Sequence, residues 1–321
     1  MLHFIKHIVK RVFKAHRSLN VTKVSLELCF KPFGITTFIG TFIMNHLQKI
    51  ALAYLYSVPL ATAVIGFGIG HAEVPLYVTL WALNFCLMSI AIWQLKKTRS
   101  IGTDLGWTSA ALLLIIPWML FPLFAGMGPP PVKLADWVTT GTEQQVRYTI
   151  LIAGGIIACM GFALLRVKLQ ERGETVFSTL GVTAIGIAIP LFILNMIFWG
   201  YYLTDAFKIF VTVPQGKRPD WYPPIKTLFY LISVIEVVLI YFAIGLFAIA
   251  LQKMQVLSYR ACCCYVVVAL IGMILVALPA SSPEPFSTLG YLAAIPAIPF
   301  VMPYLMGIRL LLLDRRFNNA Q

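Results

Sequence analysis

Glu236 stands in the run Leu231-Ile232-Ser233-Val234-Ile235-Glu236-Val237-Val238, inside an apolar stretch that extends from Thr227 to Leu251. Counting from Lys226 at about 1.5 Å per residue puts it about 15 Å below the nearer interface of a bilayer, close to the midplane. An ionised side chain at that depth costs roughly 2.5 to 3.5 kcal/mol on insertion scales. No lysine or arginine falls at the same depth, so Glu236 is either protonated or bonded to neutral polar groups that face a wet cavity. Two such groups come from other stretches at similar depth: Asn195, above which the chain rises to Asp205, and Asn84, below Pro75. Ser233 lies one turn before Glu236, and Ala243 continues that stripe with a small residue suited to close helix contact. Glu236, Asn195, Asn84 and Ser233 are therefore the candidate site. Its chemistry is proton or ligand coupling, or else a buried acid satisfied by an asparagine and acting as glue between helices.

Three other patterns bear on chemistry. Asn195, Trp199, Tyr202 and Asp205 recur at intervals that keep them on one helical face, a candidate entry path; an interfacial aromatic belt with a solvated acid explains the same pattern. Pro296, Pro299 and Pro303 share a face of the last apolar stretch, and each lacks an amide hydrogen, so the expectation there is a kinked or broken helix. Broken helices often line transporter sites. Cys262, Cys263 and Cys264 follow Arg260 at the end of a span, a position open to acylation and equally suited to small apolar packing residues.

Several chemistries are not encoded. The chain has no P-loop, G-x-S-x-G or H-E-x-x-H motif and no lysine late in a span of the kind that binds retinal. Its histidines are His3, His7, His16, His46 and His71, none well inside a span, so haem is disfavoured. His71 with Glu73 makes too small a set for a metal. Gly66-Phe67-Gly68-Ile69-Gly70 follows no strand, and its small residues suit close helix contact. The loops lack a cluster of acids, histidines or nucleophiles, so an enzyme is not expected, nor is a cofactor or metal.

These residues must be held by a bundle of helices. The 321 residues are 60% apolar and 12% charged with a mean hydropathy of +0.85, outside the range of soluble domains. Stretches long enough to cross a hydrocarbon core about 30 Å thick run approximately over Ile50–Gly70, Pro75–Leu95, Trp107–Met127, Tyr148–Leu165, Val176–Tyr202, Thr227–Leu251, Ala261–Ala280 and Phe286–Leu312. The expected fold is all-α, a polytopic bundle of eight transmembrane helices in residues 44–321. With the N-terminus inside, nineteen of the 25 basic residues fall on the inner segments and six on the outer ones, which places both termini on the cytoplasmic side. The net charge of +13 is thus read as topology and not as affinity for nucleic acid. The expected location is a cell membrane, the inner membrane if the source is bacterial, with the lipid bilayer as the one assured partner.

Residues 1–43 differ in kind. Leu2, Ile5, Ile8, Val9, Val12 and Phe13 recur at helical spacing while Lys6, Lys10, Lys14 and Arg17 take the other face, the pattern of a basic amphipathic helix on an anionic membrane surface. An alternative is that this segment precedes the native start, because Met44 opens a chain that soon enters its first span. The outer loops at Gly128–Arg147 and Asp205–Lys226 are rich in proline and are expected to lack regular structure.

Two function classes remain, the transporter as the first expectation and the sensor or accessory subunit as its alternative. A small-solute transporter or permease, coupled through Glu236, requires that residue to reach water. A non-transporting membrane sensor or accessory subunit is instead favoured by a Glu236 that is sealed in the bundle and bonded to asparagine.

Overall fold

A backbone in lipid must satisfy its own amides, and for apolar stretches of this length the helix is the way to do so. The computed structural model describes residues 46–96, 105–214, 219–279 and 281–317, and the described residues contain helices and no strand. The amphipathic segment expected over residues 1–43 lies outside them. The elements are α1 (His46–Gly68), α2 (Val74–Lys96), α3 (Leu105–Leu120), α4 (Leu123–Met127), α5 (Leu134–Thr139), α6 (Gly141–Glu171) and α7 (Val176–Ile197). A π-helical turn (Phe198–Tyr202) leads into α8 (Leu203–Phe210), followed by α9 (Tyr222–Lys253), α10 (Tyr259–Ala277), α11 (Phe286–Ala293) and α12 (Val301–Phe317).

Seven helical segments among the described residues are long and apolar enough to cross a membrane; α3 with α4, and α7 with α8, each count as one. The eighth stretch is not a continuous helix. It breaks between α11 and α12, where Pro296 and Pro299 cannot donate the hydrogen bonds that would carry α11 forward, and the chain instead makes short turns from Ile298 N to Ile295 O and from Val301 N to Ile298 O. Pro303 plays no part in the break. It is the third residue of α12, in the first turn, where amides have no partner within the helix and proline is tolerated.

Contacts show that successive helices alternate between two ends of the bundle. At one end the α1–α2 loop meets the last residues of α4, with Ala72 N donating to Gly126 O at 2.8 Å, and His71 meets Glu143 near the start of α6. At the other, Gln48 near the start of α1 donates to the Gln94 carbonyl near the end of α2, and Arg172 after α6 lies over the Trp107 ring of α3 at 4.5 Å. Gly290 of α11 lies against the Leu275 carbonyl near the end of α10, and Gly307 of α12 against the Ala111 carbonyl in the first half of α3. The broken stretch therefore runs most of the way from the His71 end toward the Trp107 end.

Helices α3, α6, α7 and α9 form the core, with α12 closing against α3 and α10 against the far side of α9. Close approach relies on glycines that receive rings. Phe121 packs where a Gly154 side chain would be, Phe192 at Gly155, Phe247 at Gly181 and Tyr241 at Gly272. Phe300 fills the space beside the break, 5.8 Å from Phe121 and 5.7 Å from Phe192 between ring centroids, and buried Tyr304 donates to the Leu55 carbonyl at 2.6 Å. Helices α1 and α2 lie at the edge, with most of their apolar side chains facing outward as a lipid-exposed surface requires.

The proline-rich loops are more regular than expected. After Pro129 to Pro131 the chain forms α5, whose buried Trp137 donates its indole N–H to the Thr204 hydroxyl at 3.1 Å and meets Phe207 edge-on at 5.5 Å, which fixes α5 against α8. The three prolines stay outside α5, which begins three residues on at Leu134. At the opposite end Glu174 is buried and caps α7, accepting from Phe177 N at 2.8 Å and Ser178 N at 3.0 Å. Glu174→Ala leaves those amides unpaired and is expected to lower stability by about 0.5 to 2 kcal/mol, with Glu174→Gln nearer to wild type, as read by thermal unfolding in detergent.

Candidate functional site

The α7–α9 interface is built of three rungs. Toward the His71 end, Phe198 stacks on Phe229 with centroids 3.8 Å apart. Toward the other end, Phe247 occupies the space at Gly181, and the Ala243 carbonyl lies 3.5 Å from where a Gly181 Cβ would be. The middle rung is polar. Asn195 Nδ2 donates to Glu236 Oε1 at 2.9 Å, and both residues are 1% exposed. Large rings above and small residues below bring the two helices close enough for short side chains to meet.

The second oxygen of each group decides what the pair can be. Glu236 Oε2 and Asn195 Oδ1 have no other hydrogen-bond partner. If Glu236 were ionised, two buried acceptors would be left without a donor, at about 1 to 3 kcal/mol for a neutral group and more for a charged one. If it is protonated, Oε2 carries the missing donor and Asn195 Oδ1 is the acceptor that an acid–amide pair uses. The neutral form can satisfy both residues at once, and among the described residues no cation forms an ion pair with Glu236 that would favour the ionised form.

The other expected members of the cluster do not join it. Asn84 lies on α2 beside α1, where its Oδ1 accepts from the Tyr54 hydroxyl at 2.6 Å and its amide lies 3.5 Å from the Met88 sulfur. Depth was matched, but α2 packs on α1 and α4 rather than on α7 and α9. Ser233 is half-buried on α9, one turn from Glu236.

The entry-path stripe is also corrected. Asn195 is buried, Trp199 half-buried, and Tyr202 and Asp205 exposed. The π turn at Phe198–Tyr202 holds one residue more than an α turn, so spacing by four, three and three no longer keeps one face. Tyr202 instead stacks on Phe198 at 5.5 Å and meets Trp221 at 5.9 Å, an interfacial aromatic cluster, and Asp205 pairs with Lys208 at 2.7 Å on the surface.

A charged group that the sequence reading placed in a loop proves to be buried. Arg147 sits in the second turn of α6, 5% exposed, and its Nη2 donates to the Gly128 carbonyl at 2.7 Å and the Met127 carbonyl at 3.2 Å. His71, exposed in the α1–α2 loop, lies 3.0 Å from Glu143, which is on the same helix as Arg147. The signal for this cluster was Glu143 and Arg147 at a spacing of four, which puts them on one face once α6 is known to begin at Gly141.

Comparison of the chain with protein-family models, with curated proteins and with solved structures finds no match in any of the three.

Proposed function

We propose that this chain is a multi-pass protein of a cell membrane with eight crossings and both termini cytoplasmic, and that it works as a non-transporting sensor or accessory subunit. In it the Glu236–Asn195 pair is a neutral lock between α7 and α9. The observation that carries this reading is the seal on Glu236, which is 1% exposed and bonded to Asn195 at 2.9 Å. Support for the eighth crossing comes from the broken α11–α12 stretch, which heads from the His71 end toward the Trp107 end. Support for the orientation comes from the nineteen-to-six division of basic residues.

A second reading, a small-solute transporter coupled to protons, is favoured by one observation, the break between Ala293 and Val301 in an otherwise membrane-length stretch. Reconstitution separates the two. Vesicles holding the protein and a pH-sensitive dye should keep an imposed pH gradient as long as protein-free vesicles do, under a membrane potential of either sign. Dissipation that Glu236→Gln abolishes would overturn the lock and establish Glu236 as a proton carrier.

A further inference from the structure

The guanidinium of Arg147 is a buried cation that the lock at Glu236 does not involve. Three features of its surroundings bear on what it holds. Arg147 Nη2 is used by the Gly128 and Met127 carbonyls, whereas Nε is buried with no hydrogen-bond partner. No carboxylate of a described residue forms an ion pair with it; the nearest acid on its own helix, Glu143, is one turn away with its oxygens 3.0 and 3.3 Å from the His71 ring. Gln144, 2% exposed and three residues before Arg147 on α6, uses Nε2 on the Thr140 hydroxyl and leaves Oε1 unpaired. The Thr140 hydroxyl donates its one hydrogen to the Asp136 carbonyl at 2.8 Å, and that carbonyl also accepts from the Thr140 amide at 3.2 Å, so the hydroxyl can turn to Gln144 Oε1 when the amide of Gln144 flips. Flipped in this way, Gln144 has its NH2 free on the helix face that carries Arg147, three residues on.

A buried cation that makes no direct ion pair is costly, and an anion that meets it directly relieves the cost. The depth is that of a lipid headgroup. Helix α6 has 31 residues, about 46 Å at 1.5 Å per residue, which exceeds the hydrocarbon core by several residues at each end, and Arg147 lies about 9 Å along it from Gly141. The ionisable groups around it are Glu143 and the hydroxyls of Tyr148, Tyr77 and Tyr291; tyrosine hydroxyls donate to an oxyanion, and Tyr291 is exposed.

We infer that Arg147 and Gln144 form an oxyanion site at the His71 end of the bundle, between α4 and α6, that takes a phosphate group. The group can be the phosphodiester of a lipid headgroup or free phosphate, and the two sources are separable. Full-length protein purified in neutral detergent is titrated in parallel with phosphatidylglycerol, with an uncharged diacylglycerol and with inorganic phosphate, and thermal unfolding is followed. Protection by phosphatidylglycerol alone identifies the lipid, and protection by inorganic phosphate identifies the free anion. Arg147→Gln is expected to weaken the protecting anion about tenfold or more, as loss of a charge-assisted contact does. Gln144→Leu leaves the bonds to Gly128 and Met127 in place and keeps the test open if Arg147→Gln does not fold; it is expected to weaken the same anion about threefold to tenfold. Arg172→Gln, at the opposite end, should leave it unchanged. Failure of both phosphate sources to protect the wild-type protein overturns the site, as does protection that persists undiminished in the folded variants. Neither result depends on whether Glu236 carries protons.

Discussion

Glu236→Ala should destabilise the detergent-solubilised protein by about 2 to 4 kcal/mol, while Glu236→Gln should cost less than about 1 kcal/mol. The two substitutions separate shape from charge. Alanine removes the bond to Asn195, and a hydrogen bond between membrane helices contributes about 0.6 and at most about 1.7 kcal/mol. It also empties space between rungs that are close-packed on both sides, and this cavity term makes up the larger part of the loss. Glutamine fills the same volume, and its carbonyl and one of its two N–H groups reproduce the acceptor and donor of a protonated acid, so the pair with Asn195 survives. Thermal unfolding followed by circular dichroism reads both values. An ionised Glu236 with a functional role would give a different pattern, in which glutamine preserved stability but abolished a proton-dependent activity.

Gly128→Ala is the second large effect, about 2 to 5 kcal/mol, from strain in a left-handed backbone together with overpacking. Gly128 has φ +64°, and an added Cβ would lie 2.9 Å from His71 N and 3.0 Å from the Gly70 carbonyl carbon. Both are backbone atoms of the α1–α2 loop, so no side chain can swing aside. That loop is pinned to Gly126 O through Ala72, and Gly128 O receives Arg147, so the strain reaches α1, α4 and α6 together. Gly186→Ala supplies the control. Nothing lies within 4 Å of its Cβ position in the middle of α7, and there alanine is expected to be neutral or to stabilise by about 0.5 to 1 kcal/mol. Equal losses at the two positions, measured by thermal unfolding, would refute the account of the Gly128 turn.

The sequence reveals depth more readily than direction. Hydropathy locates the spans because lipid leaves the backbone little choice, and a carboxylate ten residues into a span is recognisable by counting. That count correctly brings Asn195 to Glu236, since α7 and α9 are antiparallel neighbours. It fails for Asn84, which has a comparable depth on a helix at the other side of the bundle, because neighbour order among spans leaves no trace in hydropathy. The π turn at Phe198–Tyr202 is equally invisible, since FWGYY is as apolar and aromatic as any α-helical turn at an interface, yet it turns Tyr202 and Asp205 away from the face that carries Asn195. Arg147 was assigned to a loop by its distance from the apolar run. Its burial depends on α6 starting at Gly141, in a polar segment that hydropathy alone does not extend to. The break in the last stretch was legible from Pro296 and Pro299, whereas Pro303 was indistinguishable until the start of α12 placed it in a first turn.

The most direct test of the lock is the accessibility of position 236 to water. In a variant whose native cysteines are replaced, Glu236→Cys is exposed in sealed vesicles to a membrane-impermeant maleimide, added outside or trapped inside, and labelling is compared before and after denaturation. The account predicts a thiol that neither aqueous phase reaches until the protein unfolds. Labelling of the folded protein from either side would mean that Glu236 opens onto a water-filled path, and would contradict the sealed pair in favour of a transporter.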